Sequence, residues 1–151
     1  VVYVDKIDSE HAVRAYTVIG GRAPAHAVAT GKALLAAENP ARLDRLPALL
    51  PRYTAATIVD AVSLRAELAA ASGRGYAINR GEWREDVGGL AAAIFDGLER
   101  PVAALGISGP LSRLPAARMT EVAPQVVEAA ARLSAALGFS RNHIPTAAAS
   151  A

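Results

Sequence analysis

Three stretches of this chain bring together residue types that could do chemistry. Thr30-Gly31-Lys32 opens a helix among small residues, where backbone N–H groups stay accessible to an anion. A phosphate loop shares the Gly-Lys step, but it needs a glycine where this chain has His26 and a hydroxyl residue where it has Ala33. A nucleotide therefore fits poorly, and a carboxylate fits better. Glu82, Glu85 and Asp86 could form a general acid/base pair, although acids in a polar loop read as solvated. Ser108, His26 and Asp96 supply the residue types of a hydrolytic triad, yet no nucleophile elbow surrounds Ser108. His11, His26 and His143 stand at no metal-ligand spacing, and without cysteine the chain has no disulfide, thiolate metal site or cysteine nucleophile. Neither a metal nor a cofactor is expected.

These residues need elements to hold them. Residues 88–95 and 102–108 are apolar runs, each long enough for one buried strand, joined by an Asp96-Gly97 turn and ending in glycines and Ser108. The run from Tyr76 to Asn79 makes a shorter strand, and the polar stretch after it carries Trp83 in a loop. Val1–Asp8 and Val13–Ile19 read as a further antiparallel pair. Helices are expected from Val28 to Ala37, from about Ala41 to Leu46, and from a Ser63 cap to Gly73 or Gly75, burying Leu64, Leu68 and Ala71. A last helix spans Pro115 to Gly138, with Pro124 kinking or dividing it. Strands outside a βαβ order place the chain in the α+β class.

With 151 residues, 52% of them hydrophobic, the chain fits one domain, residues 1–139, followed by a flexible small-residue tail, 140–151. Net charge is only +2 and the basic residues are scattered, so the chain itself is not expected to bind DNA. No signal peptide or membrane span is apparent, which points to the cytoplasm. Starting inside a strand-like run, the chain is expected to lack an N-terminal portion.

The segment from Pro24 to Ala36, the step Arg74-Gly75-Tyr76-Ala77 and the glycine-bearing strands from Gly88 to Pro110 occur in one order and spacing. In these the chain resembles the effector-binding, C-terminal domain of the isocitrate lyase regulator (IclR) family of bacterial transcriptional regulators. The resemblance implies a GAF-like antiparallel sheet of about six strands flanked by helices. It also implies an upstream winged helix-turn-helix domain, absent from this chain, through which alone DNA is bound. The protein is then a homodimer or homotetramer, not an enzyme, and its ligand is a small organic acid, aromatic or branched. Positions matching Ala29, Thr30, Asn79, Gly89, Gly106 and Ser108 line the effector cavity in that family, with Glu82, Trp83 and Leu90 as neighbours. Glycine at 89 and 106 is expected to make the pocket roomy, so that leucine there would fill it and spare the fold. The alternatives are a GAF-like ligand-binding module of another signalling protein and a small cytosolic hydrolase.

Overall fold

The structure, a computed structural model, describes residues 1–11, 14–15 and 17–140, without the side chain of residue 40. Its centre is a three-stranded antiparallel sheet in the order β1-β2-β3, made of β1 (Ala77–Arg80), β2 (Val87–Phe95) and β3 (Pro101–Pro110). Along β2 the period-two rule separates two kinds of residue. Leu90, Ala92 and Ile94 point to one face, where α4 (Ala116–Ala136) lays Met119, Val122, Val126 and Ala130 against them. Ala91, with Ala77 of β1 beside it, points to the other face, against Ala29 and Ala33 of α1 (Ala29–Ala37) and Ala71 of α3 (Ala61–Arg74). Small residues on both sides of this second contact let helix and sheet approach closely.

The hairpin between β2 and β3 is held by Asp96. Its Oδ1 accepts the Leu98 and Arg100 N–H groups, and its Oδ2 meets the Arg100 guanidinium at 2.6 and 2.8 Å. At the end of the central strand β2, α4 supplies a second clamp: Ser134 Oγ accepts the Phe95 N–H at 3.0 Å and donates to the Ala130 carbonyl at 2.8 Å. Ser134 is buried and Phe95 half-buried, so Ser134→Ala leaves a largely covered strand N–H without its acceptor. Urea denaturation should register a loss of about 1–3 kcal/mol; an unchanged midpoint would mean that water replaces the hydroxyl.

Several expectations need correction. Three strands are found among the described residues, not about six. The Val1–Asp8 run forms no strand. Its backbone meets the Gly20–Ala23 segment, where Val1 exchanges hydrogen bonds with Ala23, Val2 bridges Arg22 and Tyr3 bonds to Gly20 and Gly21, but the pairing is too short for a strand. Of the run 13–19, residues 13 and 16 lie outside the described residues and the others form no strand; 141–151 of the tail, with His143, also lie outside. The cap of α3 is Asp60, whose carboxylate accepts the Ser63 N–H at 2.8 Å; Ser63 stands inside the helix. Gly75 closes α3 at φ +82°, the left-handed conformation that glycine adopts without strain. The short α2 spans Pro40–Leu43, capped by Asn39. Finally, Pro124 starts no new segment: α4 runs through it as one helix.

Candidate functional site

Antiparallel register brings Asn79, Gly89 and Ser108 into one row across the sheet, with Ala77, Ala91 and Gly106 in the next. Both rows lie on the face that α1 covers, since Ala29 and Ala33 pack on Ala77 and Ala91. Thr30 follows Ala29 at the start of α1, and its Oγ1 is buried without a hydrogen-bond partner. Thus Ala29, Thr30, Asn79, Gly89, Gly106 and Ser108 share one face. Leu90 does not: it is fully buried on the opposite face against α4, because its neighbour Gly89 takes the site side. Gly106 and Ser108 are exposed at β3, whereas Asn79 and Gly89 are buried.

The expected roominess at the glycines is also corrected. A Cβ added at Gly89 would stand 2.5 Å from the Ile107 carbonyl oxygen, and one at Gly106 would stand 2.6 Å from the Leu90 carbonyl oxygen. Backbone of the paired strand fills that space. An opening of about 500 Å³ lies elsewhere, lined by Ala36, Ala71, Tyr76, Ala92, Val127 and Phe139. It contains none of the expected site residues.

What organises the site is a charge pair. Lys32, on the second turn of α1 and 1% exposed, donates to both oxygens of Glu82 at 2.7 and 2.8 Å. Glu67 of α3 stands 3.7 Å from the same ammonium and is itself held by Arg74 at 2.7 Å. Glu82 is therefore buried and paired, not solvated, while Glu85 and Asp86 are exposed as expected. Burial pushes the Glu82 carboxyl above its ordinary range; Lys32 pulls it back without cancelling the effect. A segment outside the sheet fixes this loop further: Thr57 donates to the Glu82 carbonyl at 2.6 Å and Thr54 to the Gly81 carbonyl at 2.7 Å. From inside the loop, the Glu82 N–H donates to Asn79 Oδ1 at 2.9 Å.

Trp83 is half-buried, with the Arg84 guanidinium 4.7 Å above its ring. Tyr3 reaches the same neighbourhood. Its phenol is pushed up by burial, against the opposing influence of the Arg84 charge and the Thr30 hydroxyl, although Thr30 Oγ1 makes no hydrogen bond of good geometry. Sequence reasoning missed Lys32, Thr54, Thr57, Tyr3 and Arg84. For Lys32 a signal existed: an ammonium inside the apolar run Ala29–Ala37 requires a buried partner.

The hydrolytic arrangement is not assembled. His26 Nε2 lies 3.0 Å from the Pro51 carbonyl, which makes that nitrogen the donor. Asp96 pairs with Arg100 at the far end of the hairpin, its carboxyl held below the usual range by that guanidinium. Since Ser108 is opposite Gly89, the strand rise puts it roughly 20 Å from Asp96. Among the described residues no group of three His, Cys, Asp or Glu could hold a metal ion, and no helix is long and apolar enough to cross a membrane.

Comparison with known proteins gives concordant results. The family model described as "Bacterial transcriptional regulator IclR C-terminal" matches residues 1–135. The chain is 37% identical over 142 residues to the transcriptional repressor IclR of Escherichia coli (strain K12), covering 93% of this chain and 52% of that protein. Among solved structures, Thermotoga maritima IclR superposes with a TM-score of 0.83 at 27% identity, covering 91% of this chain and 57% of that one. The inducer binding domain of a PobR double mutant from Acinetobacter, in complex with 3-hydroxybenzoic acid, superposes with a TM-score of 0.72 at 25% identity, covering 83% and 74%. The chain thus spans about half the length of the E. coli relative.

Proposed function

The chain belongs to the IclR family of bacterial transcriptional regulators as a C-terminal domain, and from that premise we propose that it binds a small organic acid and so controls DNA binding by a winged helix-turn-helix domain elsewhere in the full-length protein. The family is one of regulators and not of enzymes, which agrees with the scattered positions of Ser108, His26 and Asp96. The observation that carries the ligand reading is the likeness to the PobR domain in complex with 3-hydroxybenzoic acid. It is supported by the buried donors at Thr30 and Asn79 on the face under α1. The three-stranded sheet serves in this reading as the centre of a GAF-like architecture, working in the cytoplasm within a homodimer or homotetramer.

The mechanism is linkage. A ligand that binds one arrangement of the domain or its assembly more tightly shifts the population toward it, by no more than the difference in its two affinities. Calorimetry with benzoate, 3-hydroxybenzoate, pyruvate and 3-methyl-2-oxobutanoate tests the binding step. Saturable one-site binding of one of these acids is expected, with tighter binding of the aromatic or branched ones. Failure of all four to bind would remove the organic-acid reading. In a gel shift, this chain alone should leave DNA unretarded.

A further inference from the structure

We propose that the opening between α1, α3 and α4 is a second ligand site, which takes a neutral, largely hydrocarbon compound ending in a hydroxyl group. It is separate from the site proposed above. None of Thr30, Asn79 and Ser108 lines it, and α1 contributes to it Ala33, Ala36 and Ala37, toward the end of the helix away from Thr30.

The opening arises from unequal strands. β1 begins only at Ala77, opposite Ala91, while β2 runs on to Phe95, so residues 92–95 have no strand beside them on that side. Helices flank the gap, with Ala36 and Ala71 on one side and Val127 and Ala131 on the other. Alanine side chains are too short to close it, and about 500 Å³ stays open. Protein interiors otherwise pack about as densely as organic crystals, and atoms around a void forfeit contacts that a guest restores. An apolar cavity of about 150 Å³ holds benzene, so this one has room for roughly three such bodies. It is a recess of small-molecule size, whereas a stable protein contact needs about 800 Å² of surface on each partner.

The lining decides the chemistry. Among the described residues no Asp, Glu, Lys, Arg or His borders the opening. The charged neighbours in sequence are engaged elsewhere: Lys32 holds Glu82, and Arg74 lies over the Tyr76 ring and bonds to Glu67. Ser134 Oγ is spent on the Phe95 N–H and the Ala130 carbonyl. The backbone of Ala93 is not. Along a strand, every second residue sends its N–H and C=O to the same edge. The Phe95 N–H turns to Ser134, so the peptide groups of Ala93, two residues earlier, turn to that edge as well, where no β1 residue stands to pair with them. Ala93 lines the opening and so offers it one donor and one acceptor side by side. A hydroxyl answers both, since it gives one hydrogen bond and receives others. A carboxylate would face the carbonyl with like charge, an ammonium would face the N–H likewise, and either would surrender its hydration in an apolar recess.

The test uses the full chain, N-phenyl-1-naphthylamine as a neutral fluorescent probe, and 1-octanol, octanoate and octylamine as competitors of one chain length. The probe should bind at a single site, and octanol should displace it about tenfold or more better than either charged competitor. Ala131 and Ala135 are exposed on α4 at the rim of the opening, so tryptophan at either position covers it from outside. Each variant should lose about tenfold or more in probe affinity. Gln125→Trp, on the same helix away from the opening, and Thr30→Val, in the acid site, should bind like the parent. Without any variant, octanol should raise the melting temperature of the parent while octanoate leaves it unchanged, which keeps the test decisive if a tryptophan variant fails to fold. Tryptophan variants that fold and bind like the parent, displacement by octanoate equal to that by octanol, or no binding of octanol each overturn the proposal. Loss of the probe on Thr30→Val would place it in the acid site and overturn it too. Probe affinity that rises on Ile144→Asp would make the segment after Ser140 the occupant, and affinity that falls with rising protein concentration would make it a second copy of the chain; either result refutes a small-molecule site. The acid-binding reading is decided by its own calorimetry and survives any of these outcomes.

Discussion

Lys32→Met is expected to destabilise this domain by about 3–5 kcal/mol at neutral pH. The ammonium is 1% exposed, and two carboxylates face it, Glu82 at 2.7 Å and Glu67 at 3.7 Å. Removing it leaves Glu82 as a buried anion whose remaining contact from the Arg80 N–H is 3.3 Å long. Glu67 keeps Arg74 and suffers less. The penalty is thus the stranded charge more than the lost attraction, so Lys32→Met combined with Glu82→Gln should recover much of the stability. A double-mutant cycle by urea denaturation measures this, and additive losses would contradict it.

The same pair sets a pH dependence. Burial already raises the folded-state pKa of Glu82 above its ordinary value near 4.5, and the pull of Lys32 partly offsets this. Without Lys32 the folded value rises further. A carboxyl with a raised folded pKa contributes stability that is fully present below the unfolded value and lost as pH rises through the folded one. The deficit of Lys32→Met should therefore shrink on acidification toward pH 4.5 and be greatest at pH 7 and above. A deficit independent of pH would assign the effect to packing of the lysine stem.

Where a pattern is local, the sequence was legible. The apolar run from Gly88 to Phe95 announces a buried strand, and the glycines at 73 and 75 mark the end of α3. The α+β class followed from the order of such elements. What failed depended on partners distant in the chain. Val1–Asp8 has strand composition, but its structure depends on which backbone lies beside it, and here only the Gly20–Ala23 segment does. Leu90 was grouped with Gly89 by adjacency, which the pleat forbids. In the candidate site, Thr30 and Asn79 were named only through the resemblance, whereas nothing local to Lys32 identifies an acid fifty positions away as its partner. Thr54 and Thr57 were invisible for the same reason: their importance lies in the carbonyls of Gly81 and Glu82 that they reach across the fold.

Alanine at position 89 should cost toward the upper end of the about 1–3 kcal/mol typical of overpacking, and leucine should cost more and prevent stable folding. A Cβ at this position meets the Ile107 carbonyl oxygen at 2.5 Å and the Ser108 Cα and Cβ at 3.3 Å, so relief requires β2 and β3 to part. Gly88 and Gly109 provide the contrast. A Cβ at Gly88 would meet the ends of the Leu111 and Met119 side chains, which can turn aside, and one at Gly109 would meet only Leu114 at 3.5 Å, an ordinary contact. Gly109→Ala should be neutral or slightly stabilising, since alanine restricts the unfolded chain more than glycine does. Thermal melts of the three alanine variants should rank Gly109 as the most stable, then Gly88, then Gly89. The ranking also decides how ligand data are read. Loss of acid binding in a Gly89 variant, measured well below its own melting transition, would point to a ligand contact, whereas binding that persists in the folded fraction would make this glycine a strand-pairing residue. The geometry favours the second outcome, because the volume beside Gly89 is taken by the backbone of β3 and not by open space. If Gly89→Ala proved as stable as Gly109→Ala, the close approach of the two strands at this point would be wrong, and a ligand cavity over the glycine would again be tenable.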